Sequence, residues 1–240
     1  MNRDQIAQSF YMEEHATLYA LLHRQARTRY GEEGTQATAA GTKLYGQERG
    51  NRMAKRALKD GEPLTMENYL KYGEWSDPKA LSANEVVSLS PTYTTHAVRC
   101  GWCEAWKKHG LLEYGKLYCE SVDISLVHGF NPEGDLVIAS TLSHGDPCCH
   151  FEWVGLGFQD GEALKEFGAQ KAQLEPRVLK DFLYHTGHLL SAMTRAYETA
   201  LGVVKAQAIV EGALAEFQEI FGEEKCQALR EEAQLNFSLI

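Results

Sequence analysis

Glu85-Val86-Val87-Ser88-Leu89 and Thr92-Tyr93-Thr94-Thr95-His96-Ala97-Val98, broken by Pro91, set this chain apart from an all-helical protein. Their β-branched residues predict strands. After an Asn131-Pro132-Glu133-Gly134 turn comes Leu136-Val137-Ile138-Ala139-Ser140-Thr141, which has the same composition. Beyond Gly145-Asp146-Pro147, residues Cys149, Phe151 and Trp153 alternate with His150, Glu152 and Val154. That period predicts a half-buried strand with Cys149 on its apolar face.

The sequence on both sides is helical. Leu18, Leu21 and Leu22 recur at helical spacing within residues 4–30, with Gly31 as a stop, and a second helical stretch runs from Gln36 to about Lys59. Residues 60–84 carry Gly61, Pro63, Gly73 and Pro78 and read as a packed loop with a short helical turn. Residues 103–128 look helical. In the C-terminal third, Leu190, Met193, Tyr197 and Leu201 step by three and four, as do Ile209, Ala213, Phe217 and Phe221. The expected fold is a single α/β (α+β) domain over 1–240. A helical part (1–84) and a second helical part (159–240) flank a mixed core (85–158) with a small antiparallel sheet, and no linker divides them.

Composition narrows the function classes. The 240 residues are 44% apolar with a net charge of −9, and mean hydropathy is −0.37; this is an ordinary globular profile. The 24 lysines and arginines are scattered and not interleaved with aromatics, so no nucleic-acid partner is expected. No apolar run approaches the roughly 18–20 residues of a spanning helix, and the start has no signal-like core. The expectation is a cytoplasmic protein with no membrane partner. A homodimer is the default oligomer.

Five of six cysteines fall within residues 100–149: Cys100, Cys103, Cys119, Cys148 and Cys149, with Cys226 outside. In a reducing compartment these are thiols or metal ligands before they are disulfides. Cys100-Gly101-Trp102-Cys103 would serve as half a zinc site or as a redox pair. Cys148-Cys149 is a poor second half, because neighbours on a strand point to opposite faces. No cofactor and no metal is expected.

The longer run is more specific. It reads Cys100-Gly101-Trp102-Cys103, then Tyr118-Cys119-Glu120-Ser121-Val122-Asp123, Gly129-Phe130-Asn131-Pro132 and Gly145-Asp146-Pro147-Cys148-Cys149-His150-Phe151. With Arg49-Gly50-Asn51-Arg52 upstream, it resembles the L-2-amino-thiazoline-4-carboxylic acid hydrolase family over roughly residues 10–200. The resemblance implies hydrolysis of a small cyclic amidine: water adds to the ring carbon between nitrogen and sulfur, and the adduct collapses to a carbamoyl-cysteine. Cys100, Cys119 and Cys149 fall on family cysteines. The distal motif also resembles 4-vinyl-reductase-type sensor domains, but Thr141 and Ile138 stand where those hold a cysteine and an acid.

Candidate roles follow from residue chemistry. Cys119 and Asp123, four apart on an expected helix, would share a face as thiolate nucleophile and proton carrier. Alternatively, Cys119 packs as a small hydrophobe and Asp123 activates water directly. Cys149 either lines the site or packs in the core, and so does Cys100. His144 precedes the Gly145-Asp146 turn as a candidate proton shuttle. Arg49 and Arg52 would grip a substrate carboxylate or form a surface salt bridge with Glu48 or another acid. Tyr118, within the motif run, and Thr141 are candidate substrate contacts. His185 and His188, three apart, would orient substrate, hold a metal or simply pack. A ligand-binding or sensor module with a cysteine-bound metal is the alternative function, and a scaffold dimerising through the helical ends is a third.

Overall fold

In the computed structural model, which describes residues 2–239, the four expected strands are β1 (Ala83–Ser88), β2 (Tyr93–Arg99), β3 (Leu136–Ser140) and β4 (Cys149–Trp153). All pairings are antiparallel, in the order β1-β2-β4-β3. Tyr93, Thr95 and Ala97 stand opposite Trp153, Phe151 and Cys149 on one face, and Leu136 and Ile138 extend that face on β3. Thr94 and His96 stand opposite Glu152 and His150 on the other. The alternation legible in residues 149–154 therefore separates an apolar face holding Cys149 from a polar one.

The helices are α1 (Arg3–Ala7), α2 (Met12–Lys59), α3 (Met66–Lys71), α4 (Gly101–Lys108), α5 (Leu112–Cys119), α6 (Val122–Phe130), α7 (Gly161–Val178), α8 (Phe182–Leu201), α9 (Val203–Phe221) and α10 (Glu223–Glu232). The small central sheet among helices is the expected α+β class. The chain folds as two compact units. One comprises the segment up to Tyr45 with Gly101–Val122 and Asp181–Phe237; the other comprises Gly46–Cys100, Asp123–Lys180 and the segment from Ser238.

The first unit is helical. α2 is interrupted at Gly31, whose backbone is not helical, as the stop signal there predicts. Its arms join through Tyr19 Oη and Thr42 Oγ1 at 2.8 Å. Leu18, Leu22, Trp106, Met193, Tyr197, Ile209 and Phe217 are fully buried within this unit, so the apolar steps read in the C-terminal third do face a core. Three expectations change in detail. The first helix is split, because Phe10 turns inward and Tyr11 N–H is capped by Glu14 at 2.9 Å, separating α1 from α2. The two C-terminal stripes fall on α8 and α9, and a further helix, α10, follows them, the three parted at Gly202 and Gly222.

The third change bears on the chemistry, since the single helix expected over 103–128 is three. α4 closes at Gly110, which takes φ 66°. The Gly110 N–H reaches Lys107 O and Leu111 N–H reaches Trp106 O, the double closure that a left-handed glycine permits. α5 then ends at Cys119 and α6 starts at Val122.

The second unit holds the sheet, the last turns of α2, and α3, α6 and α7. Tyr69 of α3 packs its ring against Phe130 of α6 and Trp153 of β4, at 5.7 and 6.2 Å between centroids. α3 and α6 therefore cover the apolar face of the sheet.

Candidate active site

Within the second unit, α2 crosses α6 backbone to backbone. A Cβ on Gly50 would lie 2.1 Å from Leu126 O, and one on Gly129 would lie 2.3 Å from Gln47 O. No other residue type fits either position. Two motifs far apart in sequence, Arg49-Gly50-Asn51-Arg52 and Gly129-Phe130-Asn131-Pro132, thus meet at one crossing.

Arg49, Arg52 and Arg56 lie three and four apart on α2, so they share a face. All three are buried and converge on Glu74, which is fully buried. Arg52 grips Glu74 bidentately, Nε to Oε1 at 2.6 Å and Nη2 to Oε2 at 2.7 Å. Arg56 Nη1 reaches Oε1 at 2.5 Å, and Arg49 Nε stands 3.6 Å from Oε2. Three guanidiniums facing one carboxylate leave the group with a positive formal charge. Arg56 Nη2 is buried with no hydrogen-bond partner among the described residues. Arg52 thus holds a protein carboxylate, the alternative weighed for it, but the pair is buried rather than on the surface. Arg56 and Glu74 escaped the sequence reading. Arg56 carried a signal, one turn beyond Arg52 on the same face; Glu74 sits in an irregular loop and carried none.

Asp123 is in the first turn of α6 and is half-buried. Desolvation raises its carboxyl from an ordinary 3.8 to about 6, against the opposing pull of the nearby Arg49 charge. Burial wins over the cation because it penalises the ionised form directly. The buried Tyr69 hydroxyl is raised mainly by burial, with a contribution from Asp123. Arg49, Asp123 and Tyr69 therefore sense one another electrostatically within this unit. The proposed sharing of one helix face by Cys119 and Asp123 fails, because the chain breaks at Glu120-Ser121 and the two residues stand on different helices.

Cys149 is buried, and its Sγ accepts a hydrogen bond from Leu142 N–H at 3.3 Å. The turn before it is self-supporting: Asp146 Oδ2 accepts from Thr141 N–H at 2.8 Å, and Thr141 Oγ1 meets His144 Nδ1 at 2.7 Å. Asp146 is thus a turn former, Thr141 is half-buried, and His144 is exposed. Cys100 follows β2 and is half-buried.

The remaining candidates belong to the first unit. Cys119 is half-buried at the end of α5. Tyr118 packs edge-on against Tyr19 and His15, at 4.8 and 5.8 Å between centroids. His185 and His188 are buried on α8, with the His188 ring stacked on Phe237 at 4.7 Å. Beside them is a buried relay that the sequence reading missed. Trp102 Nε1–H donates to His15 Nδ1 at 3.0 Å, and His15 Nε2 meets Tyr45 Oη at 2.9 Å. An indole can only donate, so His15 carries its proton on Nε2 and donates it to Tyr45. The signal was present: His15, Leu18, Tyr19 and Leu22 form one helical stripe.

Among the described residues, no group of three or more histidine, cysteine, aspartate or glutamate side chains is arranged to hold a metal ion. No helix among them is long and apolar enough to cross a membrane. The model of the family described as L-2-amino-thiazoline-4-carboxylic acid hydrolase matches residues 11–153. The match ends at β4, short of the roughly 200 expected, so α7–α10 with His185 and His188 lie beyond it. No curated protein and no solved structure matches the chain.

Proposed function

The chain belongs to the L-2-amino-thiazoline-4-carboxylic acid hydrolase family, and from that premise we propose that it opens a small, carboxylate-bearing cyclic amidine of the thiazoline type by general-base hydrolysis centred on Asp123. The observation that carries this reading is the Asp123 carboxyl held near 6 beside the Arg49 guanidinium, inside the family-matched segment. A group with that pKa is mostly ionised at neutral pH, accepts a proton from water and, once protonated, is acidic enough to return it.

In this mechanism the Arg49 guanidinium binds the substrate carboxylate; the positive formal charge of the buried arginine group favours an anion there. Arg52 and Arg56 act through Glu74 as positioning residues. Water loses a proton to Asp123 as its oxygen bonds the ring carbon, and the amidine nitrogen takes the electron pair. The adduct's hydroxyl proton passes to the amidine nitrogen as the carbonyl forms and the ring C–S or C–N bond breaks, and Asp123 returns its proton to the leaving sulfur or nitrogen. Cys149 and Cys100 contribute lining, Thr141 and His144 shape the adjoining turn, and Cys119 has no required covalent role.

The test is incubation with L-2-amino-thiazoline-4-carboxylate, reading released thiol, released amine and intact-protein mass. Turnover by the native protein and by Cys119→Ala, lost in Asp123→Asn, supports the reading. A transient mass increase that vanishes in Cys119→Ala replaces it with the covalent path. Binding without turnover by the native protein overturns the hydrolase reading for this substrate.

A further inference from the structure

The polar face of the sheet holds a cluster that the hydrolysis does not use. His96 of β2 and His150 of β4 are direct cross-strand partners. Their ring centroids are 5.0 Å apart, and His96 Nε2 lies 2.9 Å from His150 Nδ1. The other nitrogen of His150, Nε2, lies 3.1 Å from Glu152 Oε1. Across β2, Glu85 is the register partner of His96 and is exposed. All four residues stand on the face opposite Cys149, Phe151 and Trp153.

We propose that this face binds a divalent transition-metal ion of the imidazole-preferring class, zinc, nickel or copper, clamped between His96 Nε2 and His150 Nδ1. Two nitrogens bound tetrahedrally at about 2.0–2.1 Å lie about 3.3 Å apart. The present separation therefore needs to open by only a few tenths of an ångström, within the reach of side-chain torsions. A metal-bound histidine characteristically gives its second N–H to a carboxylate, which fixes the ring and raises its basicity. Glu152 already occupies that place on His150.

The proton inventory also closes. The Glu152 carboxylate takes the His150 Nε2–H, so His150 Nδ1 presents a lone pair and His96 donates from Nε2. On binding, His96 takes the tautomer protonated on Nδ1 and frees Nε2 for the ion. Three protein ligands are not preassembled. Water completes the shell, with Glu85, the register partner of His96 across the strand pair, as a further oxygen ligand. Such a half-exposed, two-imidazole site is exchangeable rather than structural.

The test is titration of the reduced, full-length protein with zinc alone, against a competing chromophoric indicator, followed by cobalt substitution. The expected result is one ion per chain and a cobalt spectrum without the charge-transfer band of thiolate ligation. His96→Gln and His150→Gln should each weaken binding at least tenfold. Glu152→Ala, which removes no ligand, should weaken it about 10–100-fold. Circular dichroism confirms that each variant keeps its fold. Affinity unchanged in both histidine variants, a thiolate band, or no zinc uptake would each overturn the proposal.

Discussion

Asp123 keeps its carboxyl near 6 because desolvation outweighs the attraction of Arg49, and that imbalance has opposite signs for stability and chemistry. A carboxyl raised in the folded state adds no penalty below its ordinary value of 3.8; the penalty grows with pH and is complete above about 6. Asp123→Asn should therefore raise Tm at neutral pH, by about 1–3 kcal/mol in stability, with the gain fading below pH 4. The same substitution should lower kcat/KM about 10²–10⁴-fold. In the native enzyme, activity should fall as pH drops through about 6; thermal melts and rate–pH profiles of both proteins check this. Glu74 behaves in the opposite way. Removing its charge as Glu74→Gln leaves buried guanidiniums uncompensated, and a loss of about 3–5 kcal/mol is expected in denaturant unfolding.

The decisive contact between elements is the crossing of α2 and α6. Gly50 and Gly129 let the two backbones touch, and this brings the Arg49 turn of α2 to the helix that carries Asp123. Gly129→Ala would drive a methyl into Gln47 O, with backbone on both sides and nothing flexible to yield. The expected cost is about 1–3 kcal/mol, with a fall in kcat larger than the change in Tm alone would give, because α6 shifts with Asp123. Gly168→Ala on α7 is the control, since nothing stands within 4 Å of its added Cβ. Equal effects of the two substitutions would remove the crossing from the argument. The break at Glu120-Ser121 matters at the same scale: it puts Cys119 and Asp123 on different helices.

For the whole molecule, the family match and the folding units have different boundaries. The match ends at residue 153, yet each unit draws on chain beyond it: Asp181–Phe237 in one, and α7 in the other. A chain cut after Trp153 loses Leu189, Met193, Tyr197, Ile209, Phe217 and Leu229, all essentially inaccessible to solvent. At about 1.5–3 kcal/mol for each large buried side chain, that loss is comparable to the roughly 5–15 kcal/mol that holds a protein folded. The truncated chain should show no cooperative melt by circular dichroism. A sharp transition would mean that the matched segment carries its own core.

The sequence by itself determined the strands, the main helical stripes and the family. Period-two alternation in residues 149–154 placed Cys149 on the apolar face, helical steps such as Leu190, Met193 and Tyr197 found core stripes, and the motif run identified the family. These signals are legible because they depend on local spacing, which backbone geometry converts directly into a face. Tertiary structure alone decided the partners. Glu74 reached the arginines from a loop with no periodicity, Gly50 met Gly129 across nearly eighty residues, and His96 met His150 through strand register. The pKa of Asp123 belongs to the same class, since a carboxylate's ionisation depends on what surrounds it in space. Pattern along a chain records which way a side chain faces; what it meets there is set only when distant segments pack.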